Sequence, residues 1–118
     1  FIYKNKVICM ITFKDFQKLD MRIGKIVDVQ DAQTNKPMFR MKIDFGDLGV
    51  KQTIAGIKGF YSKEELLNKK VAALVNLEPK RLGSELSECM VLAAVVGDDK
   101  KVVVLQPEKD IDLGAKIY

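Results

Sequence analysis

The residues of this 118-residue chain best suited to chemistry are cations. Arg40 and Lys42 alternate with Phe39, Met41, Ile43 and Phe45, which places them on the outer face of a half-buried strand. Lys51 falls in the next stretch, where Val50 and Ile54 are expected inward and Lys51 and Thr53 outward. Lys36 lies in the loop before Phe39, and Lys80 and Arg81 are expected in the loop after a Val- and Leu-rich strand. Cations spaced along a strand face follow the phosphates of a nucleic acid, and Arg can also stack or bind an anion bidentately. The same pattern also solvates the open side of an ordinary strand, so residue types alone leave both readings standing.

Other chemistry is excluded by composition. The chain has no histidine, which removes Ser-His and Cys-His nucleophile pairs, His-ligated metals and the commonest general base near neutral pH. Its two cysteines, Cys9 and Cys89, form no CxxC or zinc motif; they could pair only with each other, and two buried, reduced thiols of a cytoplasmic chain are the plainer expectation. No metal, no cofactor and no enzyme activity are expected. No apolar run approaches the ~18 residues of a membrane span, and Val7 to Ile11 is too short for the core of a signal peptide. The net charge is +4, unevenly spread: residues 1–60 carry 11 basic against 6 acidic residues, and residues 61–118 carry 9 against 10. A basic half points to an anionic partner, although an excess of this size is also common on solvated surfaces.

The elements that must position these cations are mostly strands. Residues 1–11 read as an N-terminal extension: an extra strand, an artificial addition or the end of a longer parent chain. Residues 12–118 read as one domain with a turn-rich tail. Thr12 and Asp15 have N-cap spacing, and Phe13, Phe16 and Leu19 recur at helical spacing, predicting a helix over 13–19. Met21 to Val29 predicts a strand bent at a bulge around Gly24. Strands over Phe39 to Phe45 and Val50 to Ala55 are joined by the turn at 46–49. Ser62 and Glu65 form a capping box that opens a short helix through Leu67. Val71 to Leu77, Met90 to Val96 and Lys101 to Leu105 read as further strands, the last two joined by a turn over 97–100. The order predicts an all-β, five-stranded oligonucleotide/oligosaccharide-binding (OB) barrel, with short helices at the N-terminus and between strands 3 and 4.

Motifs inside these elements carry a family likeness. Asp20-Met21-Arg22-Ile23-Gly24-Lys25-Ile26 resembles the D-x-R-[VI]-G-x-[IV] signature of the tRNA-binding domain family. Asn76-Leu77-Glu78-Pro79-Lys80-Arg81, followed by Leu86-Ser87-Glu88-Cys89-Met90, resembles that family's N-L-x-P-x-[KR]-x-x-G-x-x-S-x-x-M. Ala55-Gly56-Ile57, Tyr61 and Glu64-Glu65-Leu66 resemble the S-G-I…Y-x-x-E-E-L stretch between the two. The family includes the C-terminal domain or β subunit of methionyl-tRNA synthetases, eukaryotic synthetase cofactors, free-standing tRNA-binding proteins and CsaA-type chaperones. Three departures stand out. Ala32-Gln33-Thr34-Asn35-Lys36-Pro37 replaces the usual H-P-x-A, Gly83 comes one position early so that Ser84 holds the glycine site, and Glu78 replaces a commonly basic residue. Lys36-Pro37 and the stretch around Asp44-Phe45-Gly46 look closest to the CsaA branch, and Leu86 to Met90 closest to the tRNA-binding branch.

The resemblance implies a non-catalytic tRNA-binding module, homodimeric through its N-terminal helix and C-terminal tail, acting alone or for a methionyl-tRNA synthetase in trans. It implies RNA contacts from Lys36, Arg40, Lys42, Lys51, Asn76, Lys80, Arg81, Ser87 and Met90. Read from the residues, Ser87 offers a hydroxyl to a phosphate or ribose, Met90 lies against a base or belongs to the core, and Asn76 binds RNA or local backbone. Arg22 and Asp20 read as a structural ion pair. Among the nine aromatic residues only Phe60 and Tyr61 are placed to stack, and Tyr61 alternatively anchors the helix entrance. So few rings favour a grip on folded RNA by phosphate and shape over base stacking. The alternative within the same likeness is a CsaA-like chaperone for unfolded, export-bound polypeptides.

Overall fold

The computed structural model describes residues 9–98 and 100–118, together with the backbone of two short segments near the N-terminus. Those segments, β1 (Ile2–Tyr3) and β2 (Lys6–Val7), pair antiparallel outside the main sheet. The remaining elements are α1 (Phe13–Gln17), β3 (Met21–Asp31), β4 (Phe39–Asp44), β5 (Val50–Ala55), α2 (Lys63–Leu66) and β6 (Lys70–Leu74). They are followed by β7 (Lys80–Leu82), β8 (Glu85–Ser87), β9 (Met90–Val91), β10 (Ala93–Val96), β11 (Lys101–Val104) and β12 (Lys116–Ile117).

The sheet runs β5-β4-β3-β6-β9 with antiparallel neighbours, and β12 adds to β3. It curls until the segment before β9 returns to β5, where Glu88 N–H donates to the Gln52 carbonyl at 2.7 Å and Gln52 N–H to the Glu88 carboxylate at 3.0 Å. The result is a nearly closed five-stranded OB-type barrel, as its sequence predicts. Its core is Ile26, Val29, Phe39, Met41, Ile43, Phe45, Leu66 and Val71, with Cys89 and Val104. The alternation predicted for β4 holds: Phe39, Met41, Ile43 and Phe45 are buried, and Lys42 faces solvent.

Both caps form as the residue spacing requires. Thr12 Oγ1 accepts from Asp15 N–H while Asp15 accepts from Thr12 N–H, and Ser62 and Glu65 repeat the exchange at α2. The helices stop at Gln17 and Leu66, shorter than predicted. Phe13, Leu19 and Ile11 are exposed, so this apolar face of α1 has no cover among the described residues.

Four expectations change. The bend in β3 is a register shift between Ile26 and Asp28, past Gly24. Gly24 is there for close approach, because a Cβ on it would lie 2.5 Å from Ile43 Cγ2 and 2.6 Å from Phe45 Cε1. The strand predicted over Met90 to Val96 divides at Leu92 into β9 and β10, because it changes partner there: Leu92 N–H donates to the Ala72 carbonyl beside β6, and the Leu92 carbonyl accepts from Leu105 N–H beside β11. Cys9 is exposed while Cys89 is buried, both as free thiols. In β5 the facing is inverted: Met41 opposes Thr53 and Ile43 opposes Lys51. Directly opposed residues share a face, so Thr53 and Lys51 point with the core residues; Val50 is exposed, while Ile54 is buried, as expected, although it lies on the other face.

Candidate nucleic-acid interface

The outer face of the barrel across β3, β4 and β5 is laid out in rows. Asp28, Lys42 and Gln52 form one row, and Gln30, Arg40 and Ile54 the next. Over the β5 edge of this face sits the hairpin β7–β8, with Lys80 opposite Ser87, Arg81 opposite Leu86 and Leu82 opposite Glu85. Two residues, Gly83 and Ser84, make its loop, and of these only Gly83 has a positive φ, of 63°. A glycine with positive φ at the first central position is what a II′ hairpin turn requires. The one-residue displacement of the glycine thus has a structural reason. Lys80 and Arg81, predicted in a loop, instead stand exposed on a β ribbon.

Several side chains fasten that ribbon to the barrel. Ile54 N–H donates to Ser87 Oγ at 3.1 Å, Ser87 Oγ donates to the Cys89 carbonyl, and Gln52 Nε2 donates to the Leu86 carbonyl at 2.9 Å. Arg40 Nη1 lies 3.4 Å from Glu85 Oε1, and the Glu85 side chain is 8% exposed. Ser87 and Arg40 are therefore engaged inside the protein. Lys51 does not join Arg40 and Lys42 on the outer face, because its register places it opposite Ile43; it is half-buried.

Asn76 has its amide spoken for at the base of α1. Its Oδ1 accepts from Asp20 N–H at 2.9 Å and its Nδ2 donates to the Lys18 carbonyl at 2.7 Å. These backbone partners are more than fifty residues away, not local. Arg22 Nε sits 2.6 Å from Asp20 Oδ1, and Arg22 Nη1 donates to the Gly114 carbonyl, which makes this pair a clasp for the tail. Tyr61 accepts from Val104 N–H at 3.1 Å through its hydroxyl, with Lys69 above its ring. Tyr61 anchors the helix entrance, and Phe60 is left as the exposed ring of the two.

Two concavities flank the ribbon. A groove of about 380 Å³ runs between β5, the 75–80 connection and β9–β11, and Lys80, Ser87 and the exposed Met90 line it with Leu77, Val91 and Val95. A cleft of about 230 Å³ lies between the 33–38 loop and the hairpin tip, with Lys36 on its wall. Lys36, Lys42, Lys51, Lys80 and Arg81 form no ion pair with any described residue. Lys14, Lys25, Lys69, Lys100, Lys101, Lys109 and Lys116 likewise lack an ion pair with any described residue, whereas Asp31 lies between Lys58 and Lys63, and the Lys58 contact holds its carboxyl below the usual range. Burial pushes the Cys89 thiol up to about 11, against the opposing charge of Lys51. At neutral pH it is protonated and a poor nucleophile.

The family model for the tRNA binding domain matches residues 21–116. The chain belongs to the tRNA-binding domain family. Within that family it is similar to methionine–tRNA ligases of Thermococcus onnurineus, 47% identical over 107 residues, and Pyrococcus furiosus, 44% identical over 107 residues. Each match covers 91% of this chain but 14% of the ligase. Among solved structures it resembles the CsaA chaperone of Bacillus anthracis, with TM-score 0.88 and 39% identity over 93% of this chain and all of that one. The CsaA chaperone of Picrophilus torridus gives 0.84 and 43% over 92% of this chain and all of that one. A protein related to methionyl-tRNA synthetase from Pyrococcus horikoshii gives 0.84 and 25% over 94% of this chain and all of that one. No helix among the described residues is long and apolar enough to cross a membrane.

For this tRNA-binding domain, residue-level reading missed Glu85 and the cleft residues Gln33, Asn35 and Leu82. A signal for the first was present: Gly-Ser between two short apolar-polar stretches marks a two-residue hairpin. That hairpin would have placed Glu85 opposite Leu82.

Proposed function

We propose that this chain is a non-catalytic module that grips folded tRNA by phosphate and shape contacts, as a homodimer, alone or for a methionyl-tRNA synthetase in trans. The observation that carries this reading is the set of cations without acidic partners, Lys36, Lys42, Lys80 and Arg81, around one strand face and one ribbon. Unpaired cations at a concave surface attract a polyanion and are not consumed by the protein's own carboxylates. Lys51, half-buried, contributes at most through its ammonium head, and Met90 offers an exposed thioether to a base or sugar. Asn76, Ser87 and Arg40 serve the site by holding it in shape. Dimerisation is supported by the uncovered apolar face at Ile11, Phe13 and Leu19 and the exposed Tyr118 of the tail. Pairing would double the charge to about +8 and give two sites per particle.

A filter-binding titration with folded tRNA at several salt concentrations tests the reading. If four to six phosphates are neutralised per subunit, log affinity should fall with log salt at a slope of about −3 to −5. Absence of retention at low salt refutes it. A second reading is favoured by the apolar groove at Leu77, Met90 and Val95 and by the full-length likeness to CsaA chaperones. On that reading the groove holds unfolded polypeptide, and peptide arrays discriminate: a chaperone retains apolar peptides that a tRNA binder ignores.

A further inference from the structure

The geometry points to a pocket for one unpaired RNA base in the cleft between the 33–38 loop and the tip of the β7–β8 hairpin. This inference rests on the RNA-binding reading and adds to it a position that distinguishes bases. The cleft, about 230 Å³, is smaller than the ~300 Å³ and upward of pockets for drug-sized ligands. That size suits one heterocycle rather than a stacked pair. Met38 and Leu82, both half-buried, supply apolar surface against which a ring can lie. Gln33 and Asn35 line the wall, and among the described residues neither amide hydrogen-bonds to the protein. Each free amide carries both a donor and an acceptor, the complement of a base edge. Lys36, without an ion pair to any described residue, stands at the same cleft for the attached phosphate.

The cleft is formed in advance of any ligand. Ala32 N–H donates to the Met38 carbonyl at 2.9 Å, closing the loop at its base, and Thr34 Oγ1 donates to the Lys36 carbonyl across its tip. On the opposite wall a Cβ at Gly83 would come within 3.4 Å of the Gln33 carbonyl, so the hairpin turn and the loop meet closely. Free amides beside apolar side chains in a loop closed by its own hydrogen bonds match how proteins read unstacked RNA bases, by edge hydrogen bonds and ring contact. Charge contacts along β4 and β7 lack that capacity, since phosphates carry no sequence.

The test uses the full chain titrated by NMR with four RNA homotetramers (A, C, G, U) and an abasic tetramer of equal phosphate number. At least one homotetramer should bind about tenfold more tightly than the abasic one, shifting the Asn35 side-chain amide and Gly83 N–H. The double substitution Gln33→Ala/Asn35→Ala should abolish that difference and leave abasic binding unchanged, whereas Lys36→Ala should weaken all five. Neither amide holds the loop together, so unchanged thermal unfolding of the double variant is expected. Equal binding of abasic and base-bearing tetramers, or equal weakening of both by the double substitution, overturns the inference. If folded tRNA is retained with a steep salt dependence while the tetramers show no base preference, the pocket fails and the phosphate reading stands. If tRNA is not retained, the reading of function fails, and the tetramer comparison still decides the pocket.

Discussion

Arg40 and Glu85, 45 residues apart in the chain, form an ion pair beneath the basic surface, with Arg40 Nη1 3.4 Å from a carboxylate that is 8% exposed. Glu85 belongs to the hairpin that displays Lys80 and Arg81, and Arg40 to β4, the neighbour of the β5 edge on which that hairpin rests. The pair therefore ties the presentation of two cations to the barrel wall.

Removing Arg40 leaves the nearly buried Glu85 carboxylate without its counter-charge; because the Arg40 side chain is a third exposed, solvent screening cuts the cost of a broken buried pair to about 1–2 kcal/mol. Arg40→Ala should lose about that much stability in urea denaturation, while Arg81→Ala, fully on the surface, should stay within about 0.5 kcal/mol. In tRNA binding the order should reverse, with Arg81→Ala lowering the salt slope by about one. An Arg40→Ala midpoint equal to wild type contradicts the docking role.

Asn76 separates a structural from a contacting role in the same way. Its amide satisfies one backbone donor and one backbone acceptor at the junction of α1 and β3. Asn76→Ala should destabilise the fold by about 1–3 kcal/mol. Measured on the folded fraction, its tRNA affinity should match wild type; a drop in affinity with no change in unfolding would assign Asn76 to RNA instead.

Gly24 and Gly59 make a matched comparison. A Cβ at Gly24 runs into Ile43 and Phe45, whereas at Gly59 nothing lies within 4 Å. Gly24→Ala should cost about 1–3 kcal/mol through overpacking, and Gly59→Ala should be neutral within about 0.5 kcal/mol. Thermal unfolding of the two variants checks this.

The Cys89 thiol predicts an alkaline limit to stability. Burial raises it from 9.0 to about 11 in the folded chain. Between those values the unfolded thiol has lost its proton and the native one keeps it, so the unfolded state binds fewer protons and stability falls as pH rises. The full stability is present below pH 9, and on the order of 2 kcal/mol is lost by pH 11. Cys89→Ala should flatten this part of the pH profile relative to wild type, and a thiol reagent should modify exposed Cys9 well before Cys89.

Alternation within β4, the two capping boxes and the ordered motifs were readable because each is local: strand and helix periods repeat within a few residues. The facing of β5 was not. Val50 and Ile54 are of the right type to point inward, but the hydrogen-bonded register opposite β4 sends Thr53 there and fills its hydroxyl with the Cys89 carbonyl at 2.8 Å. Ser87 and Asn76 look like ligand contacts until their partners in β5 and in the turn between α1 and β3 are located.

By itself, the sequence determined that this protein is a mildly basic β barrel without histidine chemistry, and which cations are candidates for an anionic ligand. The tertiary structure decided which of those cations are free and which are spent on the fold. It also brought the 33–38 loop against the β7–β8 turn to make the cleft. The reason is physical: a residue's type fixes what bonds it can make, but partners thirty to ninety residues away fix which ones are already made.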